Sequence, residues 1–406
     1  MKGRFRGLIM NPSIRKVFNE KFSTEKYSQF LSKLNSDLKE PVPFRVAETP
    51  VFLTADFRDK LISAGNDIVH TILKPNFKEL TERAIPDFWR VSNENDHPHF
   101  IALDFGICKD EQGNIVPKLI ELQGFPSLYS FQVHLGDTYQ EVYDTPADET
   151  IFFGGLKEES YLDLLKKTIL GPYQSDEVVL MDVNAPEQKT AVDFYLTQKY
   201  IGTPVVSLSD LIQDGKKLYY MAGDQKKLIK RIYNRLIFDE IAGDPDIFTK
   251  VADIRQPLEV EWITHPNWFY RVSKFTMPFL TGNYIPKTQF LHLLKQIPAN
   301  LENYVLKPLF SFAGQGVIID ISKEDIETIT DPENWILQEK VNYEAVVQSP
   351  EGGVKAEIRL LYLWPDGDKK PTLAINLARL SRGKMIGVRY NKDYNWVGGT
   401  VAFMPR

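Results

Sequence analysis

A lysine at the end of an apolar run, followed by two glycines one residue apart, is the first pattern in the chain that could do chemistry. The run is Tyr304-Val305-Leu306. Lys307 and Pro308 follow, then Gly314-Gln315-Gly316, then a second β-prone run, Val317-Ile318-Ile319-Asp320. Strand, lysine, small loop and strand suit a polyphosphate. The ammonium is a point charge, and glycine lets backbone N–H groups approach phosphate oxygens with no Cβ between them. A hairpin turn has the same outline, so the neighbours decide the reading. Upstream lies Lys274, in Val272-Ser273-Lys274-Phe275, and then Tyr284-Ile285-Pro286-Lys287-Thr288. Downstream, the apolar Trp335-Ile336-Leu337 leads into Gln338-Glu339-Lys340-Val341.

A second set of polar groups sits near the front. Phe100 to Phe105 reads as a core strand carrying Asp104, Asp110 to Asn114 as a turn, and Pro117 to Gln123 as a returning strand carrying Glu121 and Gln123. Residues two apart on a strand share a face, so Glu121 and Gln123 point the same way, and the hairpin brings Asp104 near them. An Asp with a Glu-x-Gln offers hard oxygen ligands of the kind Mg²⁺ takes beside nucleotide phosphates. A surface hairpin with exposed acids is the alternative; Leu119, Ile120 and Leu122 argue for burial. Near the end, Glu357-Ile358-Arg359 and Arg379-Leu380-Ser381 each place two polar residues on one strand face. Guanidinium forks match carboxylate and phosphoryl oxygens.

Lysine, Ile285-Pro286-Lys287-Thr288, Leu306-Lys307-Pro308 with Gly314-x-Gly316-Val317, and Leu337-Gln338-Glu339, in that order, resemble the ATP-grasp family. The hairpin acids lie N-terminal to these motifs, as in the circularly permuted branch that includes glutathionylspermidine synthase. The resemblance covers roughly residues 95–400 and implies an ATP-grasp-like clamp of two α+β lobes with a small parallel-sheet domain before it. It assigns Lys274, Lys307 and Gly314-Gln315-Gly316 to ATP phosphates and Gln338, Glu339, Lys340 and Val341 to adenine. Asp104, Glu121 and Gln123 are implied for Mg²⁺, and Arg359 and Arg379 for the reaction chamber, with Asn391 nearby. Two positions depart from the branch: Gln123 replaces an asparagine, and Ala102 stands where the branch carries an arginine.

The elements that must hold these groups follow from patterning. Residues 13–90 read mostly as helices, one through Leu34 capped by Ser23-Thr24 and one from Asp56 to Leu73. Residues 137–175 read as an acidic loop and a helix from Glu158 to Leu170. An apolar strand at Glu177 to Val183, a helix from Pro186 to Tyr200 and a strand at Gly202 to Leu208 imply a parallel sheet. Arg231 and Arg235 in this unit are candidates to face substrate. The fold class is α/β (α+β). The expected divisions are a helical region at 1–95, a permuted element with the metal-binding hairpin at 96–175, a small α/β domain at 176–262, a nucleotide-binding lobe at 263–345 and a C-terminal lobe at 346–406.

Composition narrows the function. The 406 residues carry a net charge of −5, which argues against a general nucleic-acid binder. No apolar run approaches the roughly 18 residues that span a bilayer. The single cysteine, Cys108, excludes an intrachain disulfide and fits a reducing, cytoplasmic setting. The six histidines show no metal-ligand spacing, and His265 before a proline reads as structural. The resemblance therefore implies an ATP- and Mg²⁺-dependent ligase joining a small or peptide-like acid to an amine through an acyl phosphate. The alternatives are a nucleotide-binding pseudo-ligase and an ATP-dependent phosphotransferase.

Overall fold

One central sheet draws its strands from both the front and the rear of the chain. The computed structural model describes residues 10–241, 246–310, 316–383, 386, 391 and 393–406. Phe100–Lys109 pairs antiparallel with Ile115–Gln123 on one side and Gly352–Leu363 on the other. Gly352–Leu363 also pairs with Val347–Ser349 and Thr372–Ser381, and Gly398–Thr400 joins the far edge. The expected hairpin forms because Asp110 Oδ1 accepts from the amides of Gln112 (3.0 Å) and Asn114 (2.7 Å), an Asx-type turn. Gly124 ends it under a steric limit: a Cβ there would lie 2.5 Å from Trp268 O.

The parallel sheet also forms as expected. Its strand order is Glu261–Ile263, Arg231–Asn234, Val178–Asp182, Val205–Ser207, all parallel. The single helix expected from Pro186 to Tyr200 is instead a 3₁₀ turn, Ala185–Glu187, then an α-helix, Ala191–Ile201; Gln188 between them is extended. Lys217–Ala222 joins Ile212–Asp214 and Gln225–Ile229 in a separate antiparallel meander.

Thr288–Phe290, Trp335–Glu339 and Tyr304–Pro308 form a three-stranded antiparallel sheet. It packs a small core of its own, Leu291, Leu306, Ile321, Ile326 and Leu337, apart from the main core. The strand expected over Val317 to Asp320 reduces to one bridge, Leu306 with Ile318. Pro12–Lys21, Thr24–Ser36 and Ala55–Ile72 are the front helices, the second capped by Ser23 Oγ. The front does not stand apart from the rear: Val51–Phe52 pairs parallel with Ala402–Pro405, and Ala47 N donates to Gly399 O at 2.9 Å. Tyr129–Tyr143 is a helix that the patterning does not predict; it ends where the expected acidic loop, Asp144 to Glu149, begins. Among the described residues no helix is long and apolar enough to cross a membrane.

Candidate active site

The register of the central sheet gathers charged groups on one face. Asp104 lies opposite both Glu121 and Arg359, and Glu357 opposite Arg379. Directly opposed residues share a face, as do residues two apart on one strand, so all five converge. A bulge falls between Asp104 and Phe105 on the hairpin side, the kind of irregularity that re-aims a side chain.

Asp104 is held by two arginines. Arg359 donates to it from Nε at 2.5 Å and Nη2 at 2.7 Å, and Arg379 Nη2 donates to Oδ2 at 2.6 Å. Arg379 Nη2 also donates to Glu357, whose other oxygen accepts from the Tyr343 hydroxyl at 3.3 Å. Glu121 lies 4.0 Å from Arg359 and accepts from Gln123 Nε2 at 2.9 Å. That bond uses the amide nitrogen of Gln123 and leaves its carbonyl oxygen. Two side chains keep the cluster open: Glu121 is 28% exposed and Arg379 34%.

Lys307 arrives from the small three-stranded sheet. Its Nζ donates to Ile120 O at 2.9 Å, on the strand that bears Glu121. Burial lowers its pKa, against the pull of the Glu121 and Glu357 carboxylates. Acidic groups from the front of the sequence and a lysine from the rear thus share one buried point.

The two buried acids titrate in opposite senses. Burial alone would raise Asp104; the Arg359 and Arg379 guanidiniums reverse this and hold it at about 2. Glu357 shares one guanidinium nitrogen with Asp104. Its burial, with Asp104 and Glu121 adding to it against Arg379, pushes its carboxyl from the usual 4.5 up to about 7. A carboxyl with a raised folded pKa stabilises the fold below its unfolded pKa, and that contribution is lost as pH rises through the folded one. Wild-type protein in metal-free buffer is therefore expected to lose stability between about pH 4.5 and 7 through this group. Glu357→Gln is expected to flatten that slope in urea melts; an unchanged slope would remove Glu357 from the account.

The other expected positions fall as follows. Lys274 is buried and opens the 3₁₀ helix Lys274–Phe279, with Ser273 Oγ accepting from Phe275 N. Gln338 is buried in the middle strand of the small sheet, with its amide near Met277 Sδ at 3.9 Å. The amides of Glu339 and Lys340 donate to Lys287 O (2.9 Å) and Asn303 O (2.8 Å). Lys340 Nζ lies 3.6 Å from Asp320, and Val341 is half-buried. Gly316 adopts φ 72°, and a Cβ there would meet Pro308 at 3.0 Å. Gly314 and Gln315 lie outside the described residues. Asn391 Oδ1 accepts from the amides of Arg382 and Gly383. Cys108 is buried, and burial pushes its thiol up to about 12, so it is no nucleophile. His265 is structural: Nδ1 accepts from Asn267 N, and Nε2 meets Ser92 O at 2.9 Å.

Arg235 follows the strand Arg231–Asn234 and lies between the rings of Phe125 (4.9 Å) and Phe194 (5.1 Å). Its amide donates to Met181 O, so it stands where the parallel sheet reverses its strand order, a place where α/β sheets bind ligands. Its Nε and Nη1 have no partner among the described residues. Arg231 is spent elsewhere, on Asp366 at 2.5 Å beside His99. The sequence marks Glu357 only as sharing a strand face with Arg359, with no role of its own, and does not mark Tyr343. The Glu-x-Arg spacing at Glu357 was a usable signal; Tyr343 had none.

No protein-family model and no curated protein matches the sequence. Among solved structures, a chain provisionally named gamma-glutamylcysteine synthetase, from Methylobacillus flagellatus KT, aligns over 84% of this chain and 86% of its own, with TM-score 0.42 and 12% identity. A glutathione synthetase-like effector, GSS30, from Globodera pallida in its apo form aligns over 94% of this chain and 96% of its own, with TM-score 0.60 and 10% identity. The chain shares that effector's fold nearly end to end, at an identity where fold alone is shared.

Proposed function

We propose that the chain is an ATP-dependent carboxylate–amine ligase with Mg²⁺ as its metal. The observation that carries this reading is Lys307 of the small sheet seated on the strand of Glu121, beside Glu357, Arg359 and Arg379. The shared fold with a glutathione synthetase-like protein supports the same class. The substrate carboxylate attacks the γ-phosphoryl group of ATP, giving an acyl phosphate and ADP; the amine then displaces phosphate. Such chemistry rests on positioning and charge neutralisation. Lys307 and Lys274 neutralise phosphate charge. Arg379, the more accessible of the two guanidiniums, stabilises the transferring phosphoryl group. Arg235 takes a carboxylate of the acid substrate. Adenine falls to the Gln338 side chain and the Val341 backbone, because the Glu339 and Lys340 amides are engaged within the protein.

Among the described residues no three acidic, histidine or cysteine side chains form a metal cluster, so the protein's share of a cation site is small and the expected set changes. Asp104 holds the two arginines rather than the metal, since both its oxygens accept from them. Glu121 and the Gln123 carbonyl would hold Mg²⁺, with Glu357 behind them. Burial, with Asp104 and Glu121 beside it, pushes the Glu357 carboxyl up to about 7, so a further positive charge near it would favour its ionised form. Bound Mg²⁺ would supply that charge and screen the phosphates.

A second reading, nucleotide binding without ligation, is favoured by the commitment of Asp104 to arginine and by Ala102. The deciding experiment supplies ATP, Mg²⁺ and panels of amino acids, small peptides and polyamines, and follows ADP, phosphate and product. The ligase releases both ADP and phosphate only with an acid and an amine together. Saturable ATP binding with no turnover across the panels selects the second reading, and a stable phosphorylated product selects a phosphotransferase.

A further inference from the structure

A buried guanidinium without a counter-ion among the described residues lies outside the site just described. Arg15, on the helix Pro12–Lys21, is 5% exposed. Its Nη2 donates to Thr49 Oγ1 at 2.6 Å and Pro50 O at 3.3 Å, and the group sits over the rings of Phe18 (4.9 Å) and Phe52 (5.0 Å). Nη1 has no partner among the described residues. Two neutral oxygens and two aromatic faces offset only part of the desolvation of a buried cation. Burial lowers its pKa to about 10, and no carboxylate opposes that shift.

Arg15 lines a cavity of about 790 Å³ together with Met10, Asn19, Ile115, Val346 and Pro350. That volume is within the range of small-molecule sites. One turn along the helix, Asn19 Oδ1 is also buried without a partner among the described residues. The exposed charges in the wall pair with others: Lys16 with Glu20 at 3.8 Å and Glu344 with Lys109 at 3.4 Å. Among the described residues Arg15 is left as the uncompensated charge of a mostly apolar wall.

We propose that this cavity binds a small organic carboxylate with an apolar body, the carboxylate meeting Arg15 and the body lying on Met10, Ile115 and Val346. Nη1 is closed off from solvent, so the carboxylate reaches it only with a small shift of the Arg15 side chain; one guanidinium nitrogen suits one carboxylate oxygen, and a dianionic phosphoryl group calls for more donors. The site is independent of the proposed ligase reaction, and its test uses no nucleotide.

The test is calorimetric titration of the full chain with straight-chain carboxylates from butanoate to dodecanoate, with octanamide as the uncharged control. Saturable binding is expected for at least one chain length, with octanamide weaker than octanoate by about tenfold or more. Arg15→Met is expected to weaken the best carboxylate by about tenfold or more, and Lys16→Gln to leave it within about twofold. Arg15→Met should fold, because it removes an unpaired buried charge and keeps an apolar stem. Ala345→Phe, which fills the cavity from the other wall, provides the same loss should Arg15→Met fail to fold. The proposal is overturned if no carboxylate in the series binds, if octanamide matches octanoate, or if either variant binds as wild type does.

Discussion

Arg359→Met is expected to cost about 3–5 kcal/mol of folding stability, read as a lowered urea midpoint, because it leaves a buried carboxylate short of its main partner. Asp104 is almost fully buried, and two of its three charge-assisted bonds come from Arg359. The remaining guanidinium, Arg379, is already shared with Glu357. Asp104→Asn alone should be costly for the mirror reason: it leaves Arg359 buried among too few carboxylates. The double variant Asp104→Asn with Arg359→Met removes both charges and leaves Arg379 with Glu357, so its cost should fall well below the sum of the singles. Acid stability provides an independent readout. Because Asp104 has a folded pKa near 2 against the usual 3.8, its contribution is present above 3.8 and lost as pH falls through about 2. Arg359→Met should therefore move the acid-unfolding midpoint to higher pH. Additive single variants, or a stable Arg359→Met protein, would show that Asp104 is held by something other than this pair.

That network also marks where sequence reading succeeds and where it stops. The hairpin from Phe100 to Gln123 was legible because its signals are local: an apolar run, a turn with Asp110, Gly113 and Asn114, and a period of two. Local signals also placed the helix Glu158–Leu170 and the parallel strands Val178–Asp182 and Val205–Ser207. The helix Tyr129–Tyr143 was not legible, and its start explains why. No side chain of its own caps it; Asp193, from the helix Ala191–Ile201, accepts from the amides of Leu128, Ser130 and Phe131. A cap supplied from some sixty residues away leaves no mark at the helix start. The role of Asp104 was hidden in the same way. Reading the hairpin alone made Asp104 a free ligand, whereas the register of Gly352–Leu363 lays Arg359 directly across from it. Ala102 makes sense in that setting. The arginine the family resemblance places at that position is absent, yet a guanidinium still reaches Asp104 from the adjoining strand.

Lys307→Met is expected to weaken ATP binding by about ten- to a hundredfold while leaving the empty protein at least as stable as wild type. The two halves of this result separate a binding lysine from a structural one. Burial already penalises the Lys307 ammonium, and its one described hydrogen bond is to a neutral carbonyl, Ile120 O. Methionine fills similar volume without that penalty, so the fold gains or holds. The phosphates lose a desolvated point charge, which the fold cannot replace. Glu121→Gln should act differently. With the metal chelated, its affinity for ATP should equal or exceed that of wild type, because a carboxylate facing phosphate oxygens has gone. With Mg²⁺ present, the gain in affinity that wild type shows should shrink or vanish. Calorimetry of the three proteins with and without chelator reads all of this. If Lys307→Met binds ATP as wild type does, the nucleotide does not lie between the two sheets. If Glu121→Gln keeps its full response to Mg²⁺, the cation is held by other groups, and the hairpin serves only to anchor the arginines.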